Sequence, residues 1–284
     1  MVLVSVVAIG TSGCTNSISA DRPTVVVSYS VLGDIVSLLV GETAKVQVII
    51  PNGVDPHEFE PSAKNVETIN GATLIVSNGA GLEEHLVRII DQAKRNGVPE
   101  FVVADHVTTR RITRDGAEIV DPHIWLDPLT ILQAIPDLAV ELEAFLHIDL
   151  ATRAVEVENM LAALNSEATD IMSEVKNCTL VTGHDEMGYF AARYGCTVVG
   201  AIIPSLSTSA EATAGQFAEL KRLASESDVH AIFADHGAPT HVADQLVREL
   251  NVQLVVLTTH VLENGDNYSE FILRIAHNIA NSLD

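Results

Sequence analysis

The chain has 284 residues, enough for one large or two modest α/β domains, each with its own core. Its 16 basic and 38 acidic residues give a net charge of −22, which argues against nucleic acid or an anionic membrane surface as partner. The same charge attracts cations, but only diffusely, because salt screens it beyond about 8–10 Å.

The first 14 residues read MVLVSVVAIGTSGC. The run is too short to span a membrane as a mature helix and has the character of a secretory h-region. Ser12 and Gly13 before Cys14 resemble a bacterial lipoprotein processing site, although Thr11 stands where an aliphatic residue is commoner. On that reading Cys14 is lipidated and anchors the protein outside the cytoplasm, at the cell surface or in the periplasm. Residues 15–23 follow as a polar tether, so 1–23 is set apart from the folded body.

A βαβ rhythm begins at residue 24. TVVVSYS reads as a strand, VLGDIVSLLVG as a helix closed by Gly41, and KVQVIIP as a strand stopped by Pro51. VDPHEFEPS follows, then a helix with Ser62 as its N-cap, the strand ATLIVSNG, an amphipathic helix over 82–97 and the strand EFVVAD. Alternation of this kind means a parallel sheet with helices on both faces. Residues 107–120, with arginines at 110, 111 and 114, read as a polar loop that leads to a second VDPH. In both copies proline fixes φ and holds the preceding Asp extended, so His57 and His123 emerge from stiff turns.

From about Asp149 to Val175 the composition is rich in Ala, Leu, Glu and Met at helical spacing. This predicts one long helix, a strut between two α/β halves, with an undetected turn near Asn165 as the other reading. CTLVTGH, EMGYFAARYG and CTVVGAII then read as strand, helix and strand, and a helix is expected over 209–227 with Ser209 as N-cap. AIFAD, a helix over 240–250, QLVVLT and a last helix from Tyr268 complete the rhythm. The expected fold is therefore α/β: two lobes, 24–148 and 178–284, each with a parallel sheet flanked by helices, joined by a backbone helix over 149–177.

Ligands of open α/β sheets sit beyond the carboxyl ends of the strands. His57, His123 and His184 occupy such places, and so does Asp266 in the loop after QLVVLT. Three neutral imidazoles and one carboxylate, two groups from each half, make a complete four-coordinate set for zinc in the cleft between lobes. Glu60 and Asp235 are candidate acceptors behind the ligands. His236 and His241 read as loop polar groups, and His85, His106, His147, His230, His260 and His277 as residues of solvated faces or ends. Cys178 and Cys196 each open a strand; they either pair as a disulfide in an oxidising compartment or lie buried as free thiols. Neither has a CxxC partner, so a thiolate zinc site is not expected.

The order DPHEFEPS, NGAGLEEHL, DPHIWLDP, VTGHDEMGYFAARYG and GDNYSEFILRIAHN resembles the cluster A-I (cluster 9) substrate-binding proteins of bacterial ABC transporters for zinc and manganese. The resemblance covers nearly all of the chain after the export segment. It implies two lobes on a long backbone helix, and it carries metal ligation onto His57, His123, His184 and Asp266. Family members with Glu at the third position tend to serve manganese, so His184 leans toward zinc. The His-rich loop of many zinc receptors is absent from 107–120. The expectation is a monomeric extracytoplasmic receptor that captures Zn²⁺, with Mn²⁺ as the alternative cargo, and passes it to a membrane permease of an ABC transporter. No catalysis is expected. A zinc hydrolase needs an open coordination position, which a fourth ligand at Asp266 closes. A chelate receptor needs an aromatic or Arg-lined cleft, and aromatic residues make up 4% of this chain.

Overall fold

The computed structural model describes residues 22–114, 116–235, 240–263 and 265–283. Cys14 and His236 lie outside these residues, as does the side chain of Asp235.

The N-terminal lobe is built from β1 (Thr24–Tyr29), α1 (Ser30–Val40), β2 (Lys45–Ile50), α2 (Ala63–Asn70), β3 (Leu74–Ser77), α3 (Val87–Arg95) and β4 (Glu100–Val102). Its sheet is parallel, in the order β2-β1-β3-β4. The central strands β1 and β3 carry continuous runs of buried residues because helices cover both faces. Ser62 caps α2 as its sequence suggests, with a reciprocal box to Asn65. Helix α3 starts at Val87, later than the 82–97 pattern indicates.

The polar segment before the second DPH is not a plain loop. It forms an antiparallel hairpin of β5 (Arg111–Arg114) and β6 (Ala117–Val120). Asp115-Gly116 is a strong hairpin signal that the charge of the segment obscured.

Two helices follow, α4 (Pro128–Leu146) and α5 (Ala151–Ser173). Asp127 caps α4 by accepting the Leu129 N–H, and Pro128 sits in the first turn, where its missing N–H costs nothing. The 23 residues of α5 run unbroken through Asn165. At 1.5 Å per residue they span about 35 Å, the width of a lobe.

The C-terminal lobe comprises β7 (Thr179–His184), α6 (Gly188–Tyr194), β8 (Thr197–Ile203), α7 (Ala214–Glu226), β9 (Ala231–Asp235), α8 (Thr240–Leu250), β10 (Gln253–Leu257) and α9 (Tyr268–Leu283). Its parallel sheet runs β8-β7-β9-β10, the same winding as the first sheet. Helix α7 begins at Ala214, not 209, because Thr213 and Gln216 form the capping box that Ser209 and Ala212 cannot. A disulfide joins Cys178 and Cys196 at the amino ends of β7 and β8.

One core links the lobes. Val27 and Leu32 of the first, Leu161 of α5, and Leu180 and Phe233 of the second belong to a single apolar cluster with Phe271 and Ile275 of α9. Helix α9 packs along α5 and reaches α1. A smaller cluster lies under α7 and α8. Among the described residues, no helix is long and apolar enough to cross a membrane.

Candidate metal centre

Each sheet changes winding direction beside its first strand, and ligands of such sheets sit at that switch, beyond the carboxyl ends. His184 is the last residue of β7. His57 follows β2, and His123 follows β6. The structure brings these three together with His260, which follows β10. One ligating atom of each lies within 4.8 Å of the others, and all four residues are buried. His123 Nε2 lies 3.4 Å from His57 Nε2 and 3.2 Å from His184 Nε2. Two nitrogens bound at 2.0–2.1 Å to one tetrahedral ion would be about 3.3–3.4 Å apart.

Asp266 is not in this group. It stands just ahead of α9, whose start is fixed by reciprocal bonds: the Asn267 N–H donates to Glu270 and the Glu270 N–H to Asn267. The Asp266 carboxylate accepts from Arg274 Nε at 3.0 Å, two turns into the helix. Its carboxylate is thus engaged by Arg274, and it is His260 that lies with the other three histidines. The sequence does carry a signal for it. An apolar run closes on Thr-x-His in both LVTGH and VLTTH, the ends of β7 and β10. Glu60 also stands apart, largely exposed and paired with His85. His241 is exposed on α8.

The DPH turns have a local cause. In each, the Asp carboxylate accepts the His N–H two residues on, at 2.9 Å for Asp55 and 3.1 Å for Asp121. Proline between them restricts the turn further. Asp121 Oδ1 also lies 2.8 Å from His123 Nδ1, an acceptor that leaves Nε2 to face the cluster. The other oxygen accepts from Arg110 at 2.9 Å. Burial pushes the Asp121 carboxyl up to about 6, against the opposing pull of the His123 N–H and Arg110.

The remaining motif residues clamp the lobes around these turns. Tyr189 Oη accepts the Arg110 N–H and donates to the Asp121 carbonyl. Arg193 of α6 makes two 2.8 Å bonds to Asp127. A Cβ on Gly188 would run into the Arg110 guanidinium and lie 2.8 Å from Asp121 Oδ2, so a larger residue there would have to displace the Arg110–Asp121 pair. Trp125, fully buried, sets its ring against His123 and His260 and donates to the Thr259 carbonyl at 2.8 Å. Thr208 of the second lobe donates to Asp55 at 2.6 Å.

Two parallel sheets meeting at a buried cluster of metal-ligating side chains define a two-lobed metal-binding protein. The family of the periplasmic component A of zinc-uptake complexes matches residues 25–282, and the chain belongs to that family. The family consists of transporter substrate-binding proteins that work outside the cytoplasm, not of enzymes. The chain is 26% identical to the manganese-binding lipoprotein MntA of Halalkalibacterium halodurans, over 98% of this chain and 94% of that protein. It is also 26% identical to the zinc-binding lipoprotein AdcA of Streptococcus pneumoniae, over 94% of this chain; the match spans 57% of that longer protein. Its fold matches the periplasmic zinc-binding protein TroA of Treponema pallidum with a TM-score of 0.81, at 23% identity, covering 92% of this chain and 99% of TroA.

Proposed function

We propose that this protein is a Zn²⁺ receptor of an ABC transporter. His57, His123, His184 and His260 hold the ion between the lobes until a membrane permease accepts it. The observation that carries this reading is the donor set: among the described residues, the group that can hold an ion consists of four buried imidazoles. Imidazole suits zinc, carboxylate and water suit manganese, and zinc stands well above manganese in the general affinity order. Four protein ligands also leave no position for an activated water, in keeping with capture without chemistry. Cys14, processed and lipidated, would tether the receptor beside its permease.

Manganese is the second reading because a relative named as manganese-binding matches over 98% of this chain. Metal analysis of protein purified without chelator, followed by competition between Zn²⁺ and Mn²⁺, separates the two. The expected result is one tightly held zinc per chain, with manganese unable to displace it at a large molar excess. Preferential retention of manganese would overturn the zinc assignment.

A further inference from the structure

We propose that Glu186 is the charge-compensating and positioning residue of the metal centre. The inference rests on the reading of the four-histidine cluster as a Zn²⁺ site. Glu186 lies in the turn from β7 to α6, and its side chain is 2% exposed. Its Oε2 accepts the Thr259 hydroxyl at 2.5 Å. The same oxygen lies 3.7 Å from His184 Nδ1 and 3.8 Å from His260 Nε2. One carboxylate oxygen therefore reaches two of the four imidazoles.

Two consequences follow. The first is mechanical. Thr259 precedes His260, so the bond to Glu186 ties the turn after β10 to the turn after β7. The two rings it serves are stacked, with centroids 5.2 Å apart and planes 18° from parallel. This makes the second lobe's half of the site a preformed pair. The second is electrostatic. Neutral imidazoles bring no charge to a dication, and an uncompensated buried charge is costly. In the first lobe the Asp121 carboxylate is matched by the Arg110 guanidinium, so that pair adds little net charge. Glu186 places a buried carboxylate beside two ligands of the other lobe and supplies the negative charge that the ligand set itself lacks.

The test is Glu186→Gln in the full chain. Glutamine keeps the size and can still accept the Thr259 hydroxyl, but carries no charge. Zn²⁺ affinity should fall about 10–100-fold, the usual cost of losing a carboxylate behind a metal-bound histidine. Coulomb energy is proportional to the charge of the ion. Ag⁺, a monovalent ion that imidazole also binds, should therefore lose only about the square root of that factor, roughly 3–10-fold. Glu186→Asp keeps the charge and should preserve the parent's ratio of Zn²⁺ to Ag⁺ affinity, which supplies an independent reading if the Gln variant folds poorly by circular dichroism. A folded Glu186→Gln that binds zinc within about threefold of the parent, or that loses both ions by the same factor, overturns the role of Glu186 alone. So does a shifted ratio in the Asp variant. A parent protein that binds no zinc overturns the proposed function together with this inference.

Discussion

At the scale of single residues, the site depends on how each histidine is held. His123 shows the arrangement in full: its N–H and its Nδ1 both meet Asp121, and Asp121 meets Arg110. The carboxylate sets the direction of the ring, and the guanidinium sets the carboxylate. His260→Ala removes a member of the cluster and should weaken zinc binding by at least about 100-fold, more than the loss of a group that only supports a ligand. Asp266→Asn removes one of the two carboxylates that pair with Arg274, the other being Glu263, and should leave affinity within about threefold, with a small loss of stability. Isothermal competition titration of both variants distinguishes the two residues. The reverse pattern would restore Asp266 to the site.

At the scale of elements, the motifs work as a connected clamp. DPHIWLDP supplies His123 and Asp127, and GYFAARYG supplies the glycine, tyrosine and arginine that grip them from the opposite lobe. Helix α6 ends at Gly195, whose φ of 75° suits glycine and stops the helix directly after this grip. The disulfide lies at the other end of the same strands. It spans 18 residues, from the start of β7 to the start of β8, while His184 closes β7 at its far end. Replacing both cysteines with serine should cost about 3 kcal/mol of stability, as expected for a loop of this length. Zinc affinity should stay within about threefold, because the carboxyl ends of the strands keep their packing. Chemical denaturation and zinc titration of the double variant check both parts; a large loss of affinity in a folded protein would show that the bridge positions the site.

At the scale of the whole molecule, the lobes are not free bodies on a hinge. They share a core through α5, and α9 returns from the second lobe to lie along α5 and touch α1. Tyr268 at the start of α9 donates its N–H to Asp34 of α1 and its hydroxyl to the Trp125 carbonyl. Opening a wide cleft would expose this shared apolar surface and break these bonds, at a cost comparable with the stability of a domain. Metal-free and zinc-loaded protein should therefore have radii of gyration within about 1 Å of each other, near the roughly 19 Å expected for a compact chain of this length. Small-angle scattering with and without chelator measures this. A difference of several ångströms would indicate a hinged receptor.

Much of this was present in the sequence. The strand and helix rhythm follows from apolar periodicity, and nearly every strand lies where its apolar run stands. The two DPH turns are legible because aspartate, proline and histidine act on neighbours two residues away, and such local rules do not depend on the fold. The hairpin at 111–120 has an equally local signal in the Asp115-Gly116 pair, set in a charged segment that lacks the apolar alternation of a buried strand. Other features had no local signature. His260 and Asp266 lie six residues apart in one loop, and composition does not say which faces the cleft. That depends on Arg274, two turns along α9, engaging Asp266, and on Trp125 and Glu186, both far away in the chain, lying beside His260. The joining of Cys178 to Cys196 likewise required β7 and β8 to be neighbours in register. The elements and the histidine-bearing turns can be read from the chain alone, because backbone propensity and turn chemistry are short-ranged. Which side chains converge cannot, because convergence is set by packing between residues that the chain keeps far apart.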